Sequence, residues 1–141
     1  MIRSLTLFAL LFVGAFARAQ ERSIPCCNCD PTSRPADAIC LRPDHIRDRV
    51  RHIEPLRPSG LDKGLKLVGT VIVEVRIDAD GKVECAEATE GNPIAISAAM
   101  LALPKWTFKA FVKNGSPRPA CGRLKIRYRL SNKTSSTKLE R

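Results

Sequence analysis

The chain has 141 residues, 44% of them hydrophobic, with 24 Lys and Arg against 14 Asp and Glu and a formal charge of +10. That length supports one small core and excludes two. No Ser/His/Asp order, paired-carboxylate arrangement or Gly-rich phosphate loop is recognisable, so an enzyme is not supported and neither a cofactor nor a metal is expected.

Leu5 to Ala17 is an apolar run behind Arg3 and ahead of Ala17-Arg18-Ala19. It is shorter than the ~20 residues of a membrane-spanning helix and has the layout of a secretory signal peptide, with cleavage expected between Ala19 and Gln20. An exported chain seldom meets nucleic acid, so its basic excess is not read as a nucleic-acid surface. Residues 20–43 are rich in Cys and Pro and show no periodicity, which predicts an irregular segment. Cys26, Cys27, Cys29 and Cys40 lie there; two local disulfides, or a staple onto the folded domain, are the plain readings in an oxidising compartment. Cys26-x-x-Cys29 has redox spacing, but Asp30-Pro31 follows and no helix N-terminus is signalled to lower a thiol pKa. Cys26, Cys29, Cys40 and His45 form a tetrahedral zinc set on paper, at a spacing that fits no common finger.

Ile46, Val50 and Ile53 recur at helical spacing, which predicts a short amphipathic helix carrying His45 and His52 as solvated residues. Leu61 to Leu67 also reads as helix-like. From Gly69 the pattern changes. Val71, Val73, Val75 and Ile77 alternate with Glu74, Arg76 and Asp78, the mark of a half-buried antiparallel strand. Asp80-Gly81 predicts a tight hairpin turn, and the return strand, Lys82 to Thr89, is irregular enough for a bulge. Asp78-x-Asp80-Gly81 is a turn and not a calcium loop, because an EF-hand with this glycine at its sixth position would start on Arg76. Asn92 and Pro93 supply a cap and a first-turn proline for an uncharged helix to Leu103, expected to be largely buried and stopped by Pro104.

Trp106, Phe108 and Phe111 supply the aromatic core. Asn114-Gly115 is a second hairpin signal, predicted to join the Lys105–Phe111 stretch to the last strand. In that strand Leu124, Ile126, Tyr128 and Leu130 face one way, and Arg123, Lys125, Arg127 and Arg129 the other. Residues 131–141 are polar and read as a disordered tail. Residues 105–141 contain eleven Lys or Arg and one acid, Glu140. The charge excess therefore sits in the last strand and tail, either as a solvated, anti-aggregation face or as a surface that steers an acidic peptide or anionic envelope surface. Cys85 and Cys121 both fall within the folded part and are expected to bridge, the alternatives being pairing with the N-terminal cysteines or free thiols.

The expected fold class is α+β: a small antiparallel sheet packed with one main helix, preceded by the Cys/Pro-rich segment and a short helix. The expected division is 1–19 signal peptide, 20–43 irregular, 44–130 folded domain and 131–141 tail. Gly69, Ile77-Asp78-Ala79-Asp80-Gly81, Gly91-Asn92-Pro93, Trp106-Thr107-Phe108 and Asn114-Gly115, in this order, resemble the C-terminal domain of TonB-type energy transducers. Glu54-Pro55-Leu56-Arg57-Pro58 is similar to that family's Pro-x-x-Pro lead-in. The resemblance covers residues 44–130. It implies protein binding in the periplasm or at the outer membrane, with an extended partner peptide adding as a strand along Arg123 to Leu130. A full transducer also has a membrane anchor and a long Pro-rich spacer. Neither is recognised here, so the alternative is an envelope scaffold without a transport role, or a homodimer formed through the same edge. A metal or redox role for the cysteine cluster is the third reading.

Overall fold

The computed structural model describes residues 38–59 and 61–140. The signal segment, Cys26, Cys27, Cys29 and most of the irregular segment lie outside them.

The fold is α+β and mostly sheet, and its main sheet is mixed. Its centre is a pair of twelve-residue antiparallel strands, β3 (Lys66–Ile77) and β8 (Ala120–Ser131). These two pair along their whole length, from Lys66 opposite Ser131 to Ile77 opposite Ala120. Their alternation is as the sequence pattern predicts. Val71, Val73, Val75 and Ile77 are buried on β3, and Leu124, Ile126, Tyr128 and Leu130 on β8, while the Arg and Lys residues between the latter are exposed. Strand β4 (Val83–Glu90) returns along the other side of β3. The register shifts twice, between Ile72 and Val73 and between Arg76 and Ile77, so bulges break its periodicity. The turn is held by Asp78, whose Oδ1 accepts from the N–H groups of Asp80 and Lys82, both at 2.9 Å.

Helix α2 (Pro93–Ala102) starts where expected, with the Asn92 side chain accepting from the Ile94 N–H at 2.9 Å. It continues into a 3-10 turn at Leu103–Lys105. Only one face is buried, through Ala95, Ala98, Ala99 and Ala102; Ile94 and Leu101 are exposed. Absence of charge therefore overstates its burial. The small Ala face lets the helix sit close to the sheet, with Ile96 and Met100 partly buried at its flanks. Trp106 and Phe108 are fully inside, and the Trp106 Nε1–H donates to the Glu54 carbonyl at 2.9 Å.

Further expectations are corrected. The Asn114-Gly115 turn does not deliver the last strand to the Trp106 region. It closes a small ribbon of its own, β6 (Phe111–Lys113) with β7 (Ser116–Arg118), with positive φ at both turn residues. The Trp106 region instead gives β5 (Thr107–Phe108), paired with β2 (Val50–His52). The helix near His45 is only α1 (Pro43–Arg47); Val50 and His52 are extended, because a five-residue helix suffices to bury Ile46 against Gly122. Leu61–Leu67 is not helical: it turns at Gly64 (φ +89°) and enters β3.

Two short strands flank β8 on the side away from β3. Strand β1 (Ile39–Leu41) runs parallel to it, opposite Ala120 to Gly122, which makes the sheet mixed instead of antiparallel. The tail is not disordered: β9 (Ser135–Leu139) folds back antiparallel on Ile126 to Leu130. The Ser131 side chain stitches the turn by accepting from the Thr134 N–H at 2.9 Å. The sheet order is β1-β8-β3-β4, with β9 beside β1 on the β8 edge.

Candidate partner-binding surface

Arg123, Lys125, Arg127 and Arg129 stand in one row on the outer face of β8, away from α2 and the core. Strand alternation alone puts them there, since every second residue of β8 is buried. The row is only partly free. Glu74, opposite on β3, is 3.3 Å from the Arg123 guanidinium. Glu140, just beyond β9, holds Lys125 at 3.0 Å through Oε2 and hydrogen-bonds Arg127 through Oε1. The Lys125 hydrogen bond, seconded by Arg127 against the opposing effect of desolvation, keeps the Glu140 carboxyl below its ordinary pKa. Lys138 faces Arg127 directly across the β8–β9 pair, a like-charge contact that opposes the pairing.

Beside this row Val68, on β3 opposite Arg129, is 65% exposed. It shares a shallow groove with Arg127, Arg129, Ser136 and Lys138. An exposed apolar side chain ringed by three cations suits an extended chain that carries carboxylates and one apolar residue.

The backbone edge is another matter. Sequence reasoning leaves the Arg123–Leu130 edge open. The structure fills it, with β1 on Ala120 to Gly122 and β9 on Ile126 to Leu130. The Lys125 carbonyl in between accepts from the Glu140 N–H at 2.9 Å. What the sequence missed was β9: Ser135-Ser136-Thr137-Lys138-Leu139 is too polar to signal a strand, and its one apolar residue, Leu139, is the only one that packs on the core. The Thr137 hydroxyl adds one tie, accepting from the Leu56 N–H at 3.0 Å.

The expected Cys85–Cys121 bridge does not fit the register. Both residues lie level with Arg76, Cys85 on one side of β3 and Cys121 on the other. Two strand spacings put them about 10 Å apart, beyond the ~7 Å limit for a disulfide. None of Cys40, Cys85 and Cys121 is a free thiol. His45 and His52 are both exposed and on different elements. Among the described residues no group of three or more His, Cys, Asp and Glu is placed to hold a metal ion, and no helix is long and apolar enough to cross a membrane.

No curated protein and no solved structure matches the chain significantly. Residues 63–130 match the family model of the Gram-negative bacterial TonB protein C-terminal. The match runs from the turn ahead of β3 to the penultimate residue of β8, taking in the β3–β4 hairpin, the capped helix and the buried Trp106 and Phe108 on which the architecture rests. The domain built on residues 63–130 therefore belongs to the TonB C-terminal family.

Proposed function

We propose that this is an exported envelope module that binds an extended, acidic segment of a periplasmic or outer-membrane protein by strand addition, with β9 as the strand it displaces. The observation that carries the reading is the pairing of a weakly apolar tail strand on the basic side of β8. β9 satisfies the β8 backbone with five residues, contributes little core, and brings Lys138 against Arg127. A partner strand with a carboxylate at the Lys138 position replaces that repulsion with attraction while making the same main-chain bonds. Arg123, Lys125, Arg127 and Arg129 supply the preference for acid, and Val68 the apolar contact. Membership of a protein-interaction family supports the same reading. A role in TonB-dependent transport is an extension of it.

The test is isothermal titration of an acidic peptide of alternating Glu and Val against the full chain and against a chain ending at Asn132. The shortened chain is expected to bind at least tenfold tighter, and reversal of Lys125, Arg127 and Arg129 to Glu to abolish binding. Equal affinity for all three proteins removes the β8 edge from consideration. The scaffold reading predicts instead that the shortened chain pairs with itself and elutes as a dimer, with no peptide affinity.

A further inference from the structure

Two turns stand side by side at one end of the β3–β8 pair. Residues 62–65 form one, closed by the Leu65 N–H donating to the Asp62 carbonyl at 3.1 Å. Ser131–Thr134 forms the other, closed by the Ser131 N–H donating to the Thr134 carbonyl at 2.9 Å. Lys66 and Ser131, where the turns enter the sheet, are direct partners. The turns border one open hollow, lined by Lys63, Leu65, Lys66 and Lys133 among others. Lys66 also borders the next hollow along the outer face, with Val68 and Arg129, and Val68 the one beyond it, with Lys138. The three therefore make one continuous patch.

Its charge has a single sign. Lys63, Lys66, Arg129, Lys133 and Lys138 are all exposed, and among the described residues none of them forms an ion pair. Arg123, Lys125 and Arg127, farther along β8, each have a carboxylate partner. Asp62 lies in the first turn but borders none of the hollows, and among the described residues no other acid does. Within this block of cations stand two apolar side chains, Leu65 at 44% and Val68 at 65% exposure. Leu67 between them packs on the core; they do not. Single exposed apolar residues are ordinary on a protein surface, whereas two in one cationic patch form a pattern.

We propose that this patch docks the protein on the surface of a membrane containing anionic phospholipid. Leu65 and Val68 enter the headgroup layer, and the surrounding cations lie against the lipid phosphates. Charge complementarity selects this occupant over a second copy, because two such patches face to face repel. Shape selects it over an acidic strand. The cations come from β3, β8, β9 and both turns, so they spread over a plane, while a strand of carboxylates presents a single row. A headgroup layer offers phosphates in two dimensions above apolar chains, which matches cations set around apolar tips. The attachment is independent of strand addition at the β8 edge: β9 stays in place and supplies Lys138.

The test is co-sedimentation of the exported protein, recovered from the periplasm, with vesicles of phosphatidylcholine alone or mixed with phosphatidylglycerol. Partition onto the mixed vesicles is expected to be at least about tenfold higher. It should be lost when ionic strength rises from about 0.1 M to about 1 M, which shortens the screening length from ~10 Å to ~3 Å. Reversal of Lys63, Lys66 and Lys133 to Glu in one chain is expected to abolish binding. Leu65→Ser, which leaves every charge in place, is expected to weaken it about tenfold. Equal partition onto both vesicles, none onto either, or binding that persists at high salt overturns the proposal. So does an unchanged partition in Leu65→Ser, or anionic binding that survives the charge reversal. The reversed chain keeps every other segment, so attachment through another part of the protein registers as such survival.

Discussion

Gly81 shows how much one residue can hold in place. Its φ is +88°, and a Cβ there would stand 2.1 Å from the Phe108 carbonyl oxygen. The Gly81 carbonyl accepts from the Phe108 N–H at 2.8 Å, so the hairpin turn is docked on β5 by backbone alone. Gly81→Ala is expected to cost about 2–3 kcal/mol, from positive φ and overpacking together. Gly115→Ala, at φ +78° in open space, costs only ~1 kcal/mol. Urea midpoints of the two variants read the difference directly. The sequence announces both glycines as turn formers, since that is a local property of Asp-Gly and Asn-Gly. It does not announce that one of them touches Phe108, because that contact depends on where β5 goes. The Trp106 indole is a similar case: its burial is legible from its setting, its bond to Glu54 is not. Trp106→Ala is expected to lose about 3–5 kcal/mol.

Among the elements, β3 and β8 were legible because each buries one face over many residues, and period-two alternation follows from that. Which strand pairs with which was not, because two consecutive turn signals suggest sequential hairpins while the pairing of β3 with β8 spans some fifty residues. Strand β9 was hidden for a different reason. It is stabilised by β8 backbone groups and by Glu140, neither of which leaves hydrophobic periodicity. Its pH response has a defined sign. The folded-state pKa of Glu140 is lowered, so its contribution is present above the unfolded carboxylate range and is lost as pH falls through the folded value. Amide exchange in Ser135–Leu139 is therefore expected to accelerate at acid pH before the β3–β8 amides respond. Glu140→Gln should reproduce this near neutrality and flatten the pH dependence, while leaving the protection of β3 unchanged.

For the whole molecule, charge and covalent structure occupy opposite ends of one face. Residues 105–141 hold nearly all the basic excess, and five of their eleven Lys and Arg residues, Arg123, Lys125, Arg127, Arg129 and Lys138, line the outer face of β8 and β9. The row of Cys40, Cys121 and Cys85, level with Arg76, lies at the opposite end of that face, near β1. Cys40, Cys85 and Cys121 are not free thiols, and reduction is expected to lower Tm by on the order of 10 °C or more, since each closed loop contributes a few kcal/mol.

Strands β1 and β9 lie end to end on the same edge of β8. A strand that ousts β9 can extend only as far as Arg123 before it meets β1 at Gly122. The edge thus works as a ruler of eight positions, Arg123 to Leu130, closed at one end. Peptides lengthened towards that stop should gain affinity up to about eight residues and none beyond, and peptides shifted in register should lose it.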